Sequence, residues 1–435
     1  MGFSFRSSKA YIVFLPCALV ALVSAFMLNG AFPVSATWEK TNVVVASGNF
    51  HPKPSGAFSA SATQEKTNVV VAPGNFHAKL SSSATAHWLY VVDDGKVYVY
   101  DIDNNHALVK HFSIPEQGKR GIAVSPSRGL LYVSFCGNTD CGGGHGNLLA
   151  YDLVHDRVAW NVSYPFGVDQ LAVTPDGSKI YMSQGADSSG GMTAILDASN
   201  GHVIGSIKTG TNGHNTLVSL DGTQVYLTGY TGSNYNYIHV LNPATNQVTL
   251  NAGPTVNGVR PFTVNGKHTM LFTTSSNTCG FQALSLTTGN VLSSVKFSGS
   301  CFWTASSAPS HGISLSPDEK RVYVIDAPLD QLEVYDVSGL PASQPTFVAS
   351  VQLTSFRGQE SSCQTYCERE GWVLNDLSGR YVYVGDTGDV IDTHTLHAVM
   401  TLPPLQNTRQ IIEIDWTNGV PSATSTRFGL GRVTS

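Results

Sequence analysis

Residues 312–336 read GISLSPDEKRVYVIDAPLDQLEVYD, and this stretch decides the fold. An apolar run (GISLS) ends in a Pro-Asp turn. A strand-like run with a central tyrosine follows (RVYVI), then a second turn, then another alternating run (LEVYD). Alternation of apolar and polar residues between turn-forming residues is the period-two signature of consecutive antiparallel strands. This aromatic-bearing run recurs as WLYVV (88–92), LLYVS (130–134), KIYMS (179–183), QVYLT (224–228), TMLFT (269–273), RVYVI (321–325) and RYVYV (380–384). Each is followed by a further strand and turn. The preceding apolar run also recurs, as GIAVSPSRG (121–129), LAVTPDG (171–177), TLVSLDG (216–222), FTVNGK (262–267), GISLSPD (312–318) and WVLNDLSG (372–379). It is absent ahead of the first copy. QIIEID (410–415) at the other end of the chain carries the missing pattern, so it is expected to complete the first blade and close a ring. The fold class that follows is all-β: a seven-bladed β-propeller of four-stranded antiparallel blades over residues 87–435, with units spaced about 40–59 residues apart.

Composition agrees. Charged residues make up 13% of the 435-residue chain and there are 42 glycines, and no long amphipathic helical pattern follows the first forty residues. The net charge of −5 and the scattered Lys and Arg residues exclude a nucleic-acid partner. Residues 1–36 hold Arg6 and Lys9, an apolar run over 11–27 and the small residues Val34, Ser35 and Ala36, an export signal whose uncleaved alternative is a membrane anchor. A secreted or extracytoplasmic, monomeric protein is expected. Residues 37–86 contain ATWEKTNVVVASGNFHPK and ATQEKTNVVVAPGNFHAK, a 26-residue duplication that reads as a flexible linker.

SPSRGLLYVS, TPDGSKIYMS and SPDEKRVYVID are similar to the YVTN-type repeats of YncE-like and lactonase-like propellers over roughly residues 87–435. That resemblance implies the fold. The functions it implies range from sugar lactonases and lyases to cell-surface binding proteins.

In a four-stranded blade the residue ahead of the innermost strand points into the channel mouth. The seven aligned positions are Arg120, Asp169, His214, Arg260, His311, Glu370 and Gln410. All are polar, in a chain where charge is scarce. His214, His311, Asp169 and Glu370 are the candidate acids and bases, with His214, His311 and Glu370 as ligands for a divalent ion such as Ca, Mg, Mn or Zn. Arg120, Arg260 and Gln410, with the loop residues His145 and Trp303, are candidate contacts to a small-molecule or saccharide ligand, expected to be anionic. Metal-assisted lactone hydrolysis or lyase chemistry follows from one reading of this ring. Noncatalytic binding of a surface protein or polysaccharide follows from the other.

Cys17 falls in the apolar leader. The remaining six cysteines suit disulfides in an exported chain, paired by closeness in sequence as Cys136 with Cys141, Cys279 with Cys301 and Cys363 with Cys367, all on the rim of the mouth.

Overall fold

The computed structural model describes residues 85–434 apart from 115–116, 137–143, 186–189, 300, 304–307 and 361–367. Contacts divide the chain into two units, Met1–Asn75 and Phe76–Ser435, and every described residue belongs to the second. The leader and most of the duplicated segment therefore lie outside the described residues. Among those residues no helix is long and apolar enough to cross a membrane.

Seven antiparallel sheets follow one another along the chain. Blade 2 runs through Lys119–Ser125, Leu130–Phe135, Gly146–Asp152 and Arg157–Tyr164 from the channel outward, and blades 3 to 7 repeat that order. Blade 1 is assembled from both ends. Thr85–Asp93 pairs antiparallel with Ile411–Thr417, with Trp88 opposite Ile414 and Val91 opposite Ile411. Closure removes the free strand edges that an open ring would expose.

The repeated tyrosine explains how the blades hold together. Tyr90, Tyr132, Tyr181, Tyr226, Tyr323 and Tyr383 are fully buried, and Phe272 fills the same place in blade 5. A buried phenol needs a partner for its hydroxyl. The Tyr132 hydroxyl donates to the Ala198 carbonyl of blade 3 (2.9 Å), and that of Tyr181 donates to Asn246 Oδ1 of blade 4 (3.0 Å). The Tyr383 hydroxyl meets His106 Nε2 of blade 1 at 2.9 Å, across the closing seam.

One element departs from the expected four strands per blade. Blade 1 has five, because Val420–Thr424 pairs with Ile411–Thr417 on its channel side. Asn418 and Gly419 make this hairpin, with φ of 55° and 80°. Such a two-residue Asn-Gly loop matches the twist of the strands it joins. The chain then runs on through the channel. Phe428 stacks on Phe262 of blade 5 (5.2 Å between ring centroids), the Gly431 amide donates to the Val264 carbonyl (3.0 Å), and the Arg432 amide donates to the Pro317 carbonyl (2.9 Å).

Candidate functional site

Because each inner strand starts at the same face, the residues just before it are delivered to one mouth from seven distant points in the sequence. The structure brings them into contact. Gln410 Nε2 donates to the Arg120 carbonyl (3.1 Å), Arg120 Nη2 donates to Asp169 Oδ2 (3.2 Å), and His214 Nδ1 donates to the same oxygen (2.7 Å). The His214 and His311 rings lie 6.3 Å apart, and His311 Nε2 is 3.6 Å from Glu370 Oε2. Arg260 joins through Tyr230: its guanidinium lies 3.7 Å over that ring, which meets His214 edge-on at 5.2 Å. The ring is drier than a solvated mouth would be, since His311 and Arg260 are 2% and 5% exposed.

His145 is exposed ahead of the strand Gly146–Asp152, and Trp303 packs against the apolar cluster of Tyr323, Ile325 and Phe356. Neither takes part in the contacts above.

Several members of the network have no place in the aligned set. Arg409 Nη1 bonds Glu370 Oε2 (2.5 Å), while its Nε lies 3.4 Å from both Asp386 Oδ2 and Glu360 Oε1. Lys119 Nζ reaches Glu360 Oε2 at 3.1 Å. The polar doublets Lys119-Arg120 and Arg409-Gln410 were the available signal for two of these residues. Glu360 comes from a long loop with no repeat counterpart.

Electrostatics sorts the groups. Burial works against ionisation of Asp169, but Arg120 and His214 outweigh it and hold the carboxyl below its ordinary value. Burial also disfavours charge on Arg409, yet Asp386, Glu370 and Glu360 raise it. For His311, burial dominates over attraction to Glu370 and pushes the imidazole down to about 3. His311 is thus neutral. Its Nδ1–H donates to the Gly371 carbonyl (3.0 Å), which leaves the lone pair on Nε2, an atom with no hydrogen-bond partner among the described residues.

The donor atoms of His214, His311 and Glu370 are not gathered as a metal set. Among the described residues, the one group of His, Cys, Asp or Glu whose donor atoms all lie within 4.8 Å of one another is His87, Glu413 and Asp415. His87 faces Asp415 across the ladder, and Glu413, two residues before Asp415, points the same way. His87 Nδ1 is 3.1 Å from Asp415 Oδ1 and 3.8 Å from Glu413 Oε1. Burial, reinforced by Asp376 and Asp415, pushes Glu413 up to about 9, and burial raises Asp415 despite His87. Two crowded carboxylates and an imidazole are geometrically compatible with coordinating a divalent cation, whose charge would let both acids ionise. The sequence reading anticipated a divalent site but placed it on other residues.

Cys279 and Cys301 form a disulfide with Cα atoms 5.5 Å apart. Cys136 is also disulfide-bonded, and Cys141, Cys363 and Cys367 lie outside the described residues.

No protein-family model and no curated protein matches the chain. Among solved structures it is similar to the β-propeller domain of Myceliophteria thermophila Cps50 (Swd1), with a TM-score of 0.51 and 8% identity over 68% of this chain and 88% of that one. Kuenenia stuttgartiensis hydrazine synthase aligns with a TM-score of 0.48 and 16% identity over 72% of this chain and 88% of that one. The first likeness supports the propeller fold.

Proposed function

We propose that this chain is a secreted propeller of the YVTN-repeat, YncE-like kind that binds a small anionic molecule at the mouth ring and acts on it by proton transfer. The observation that carries the reading is His311. A buried imidazole with its Nδ1–H fixed by the Gly371 carbonyl, its Nε2 lone pair free of any hydrogen bond among the described residues and the Glu370 carboxylate at 3.6 Å to stabilise the imidazolium as it forms has the geometry of a general base. The Asp169–His214 pair supplies a second imidazole oriented through Nδ1. In a lyase reaction, His311 Nε2 would take a proton from the carbon beside a carboxylate held by Arg260 and Arg120, the C–H electron pair would form the new double bond, and a β-hydroxyl would leave as water by taking that proton back from the imidazolium. In lactone hydrolysis the same lone pair would deprotonate a water that adds to the carbonyl, and the imidazolium would return the proton to the ring oxygen as its bond to the carbonyl carbon breaks. The cation-compatible group of His87, Glu413 and Asp415 would bear on stability instead: Glu413 Oε2 accepts from the Leu377 amide of blade 7 (2.5 Å), so an ion there would brace the closing seam.

The test is activity against a panel of sugar lactones, followed by proton release, together with solvent deuterium exchange beside the carboxylate of sugar acids. Turnover or exchange by the native chain should fall at least about a hundredfold in His311→Gln, the range for losing a general base. Neither reaction with any probe would leave the noncatalytic reading, binding of polysaccharide or a surface protein, in its place.

A further inference from the structure

Below the mouth the channel changes character. A cavity of about 530 Å³ lies between the inner strands of blades 2, 3 and 4 and the C-terminal segment that follows Gly419. Its walls are largely apolar, with Ile122, Val124, Leu171, Val173, Leu217 and Phe428 among them. The hydroxyls of Ser127, Thr174 and Ser219 also line it, but each is already bonded to a neighbouring side chain, to Ser125, Asp176 and Asp221. The cavity begins two residues below the ring and reaches the turns at Pro126 and Pro175 on the opposite face, about 13 Å away along an extended strand. Its volume is that of a small-molecule site.

Arg427 lines the same cavity and is 3% exposed. Its guanidinium lies over the Trp372 ring, 3.4 Å from the centroid, and the indole Nε1 of Trp372 donates to the Arg427 backbone carbonyl (2.7 Å), so one indole positions both the side chain and the main chain. The edge of the guanidinium is another matter. Nε and Nη1 are buried with no hydrogen-bond partner among the described residues. A guanidinium does not lose its proton, so leaving its donors unmatched is costly unless an acceptor arrives. Nearby Arg409 and Arg120 add to the positive potential, while Asp169 and Asp386 only partly offset it.

We infer that this cavity binds an anionic amphiphile, a carboxylate with a medium-length alkyl chain, whose head group pairs with Arg427 and whose tail lies along the apolar walls. A short carboxylate would satisfy the arginine but leave the cavity unfilled. A neutral alkyl alcohol would fill it without matching the charge. This site adjoins the mouth ring but uses another arginine and the channel below it, and it does not depend on the proposed proton transfer.

The test uses sodium dodecanoate, octanoate, hexanoate and acetate, with dodecanol as the uncharged control, titrated calorimetrically into the full chain. Saturable one-to-one binding should tighten about fourfold for each added methylene until the cavity is full, and dodecanol should bind at least tenfold more weakly than dodecanoate. Arg427→Met keeps an unbranched apolar side chain without the guanidinium and should lose at least tenfold in dodecanoate affinity. Ala423→Trp, which fills the cavity from a partly exposed position on the tail strand, should abolish binding should Arg427→Met prove too unstable to titrate. An affinity that does not change with chain length, equal binding in both variants, or loss in Arg432→Met with retention in Arg427→Met would each overturn the inference. Loss of dodecanoate binding in His214→Gln would place the ligand at the mouth and overturn it too.

Discussion

Gln410 and Asp415 stand at either end of one short stretch of chain, about 17 Å apart when extended, and the buried charges around them are handled in opposite ways. At the mouth, each acid meets a cation: Asp169 has Arg120 and His214, and Glu370 and Glu360 share Arg409. At the seam, Glu413 and Asp415 lie side by side on one strand face with one partly exposed imidazole, and both are raised. The lesson concerns supply. Where the protein provides enough counter-charge, as for Asp169 and Glu360, burial is outweighed and the carboxyl is held below its ordinary value, whereas Asp386, which shares Arg409 with two other acids, is pushed up to about 7 by burial. Where it does not, acids keep a proton or wait for an external cation.

The largest effect should come from removing what the two regions share. Truncation after Leu405 deletes Ile411, Ile412, Ile414, Trp416, Phe428 and Leu430, all buried. At roughly 1.5–3 kcal/mol each, their loss matches the whole stability of an ordinary domain. The truncated chain should show no cooperative transition in urea, and a transition like that of the full chain would show that closure contributes little.

Asp169→Ala comes next. It strands Arg120 and unpins His214, and should cost about 3 kcal/mol in urea unfolding at pH 7. Because the Asp169 pKa is depressed on folding, its contribution is present above the unfolded value near 4 and is lost as pH falls through the lower folded value. The variant should therefore be less sensitive to acid than the parent. Equal acid sensitivity would mean that the pair with Arg120 and His214 carries little energy.

The seam should respond at the alkaline end. Glu413 moves from an ordinary 4.5 to about 9 on folding, so the folded state holds an extra proton between those values and stability declines as pH rises across that window. The slope should not exceed about 1.4 kcal/mol per pH unit. Glu413→Gln should flatten the decline in metal-free buffer. Calcium, manganese or zinc should raise the midpoint of thermal unfolding of the parent by a few degrees and leave that of the variant unchanged. A parent whose stability is flat from pH 5 to 9, with no response to any of these ions, would remove the contrast between the two clusters.

Gln410→Ala should have the smallest effect, about 1 kcal/mol by urea unfolding, because it deletes a single neutral hydrogen bond to the Arg120 carbonyl. A larger loss would mean that Gln410 holds the mouth side chains in register.

The periodic part of this architecture was legible in the sequence because each blade must present the same alternation to its neighbours. The tyrosine runs mark the second strands, and QIIEID carries the first strand of blade 1. The contacts among aligned mouth positions share that origin, since the backbone repeats there even where the side chains differ. What escaped the pattern came from outside the repeat. Arg409 sits one residue ahead of the aligned position, Glu360 is on an insertion, and Arg427 reaches the channel only because the chain turns back at Asn418-Gly419. That Asn-Gly pair is itself a hairpin signal. The metal-compatible group went unseen for another reason: His87 and Asp415 are opposite each other across a ladder, and one chain position says nothing about its partner until register is known.

The pairing of Thr85–Asp93 with Ile411–Thr417 also sets a clock. Trp416 and Tyr90, which meet through the indole Nε1 and the phenol oxygen, are 326 residues apart in the chain. At about 5–20 residues per second of synthesis, the partner strand emerges roughly 16–65 s after the one it must join. Throughout that interval Trp88, Leu89 and Tyr90 border an uncovered edge. The nascent polypeptide thus needs shelter during translation, from a chaperone or from slow folding of the intervening blades, until the strand that covers this edge has emerged.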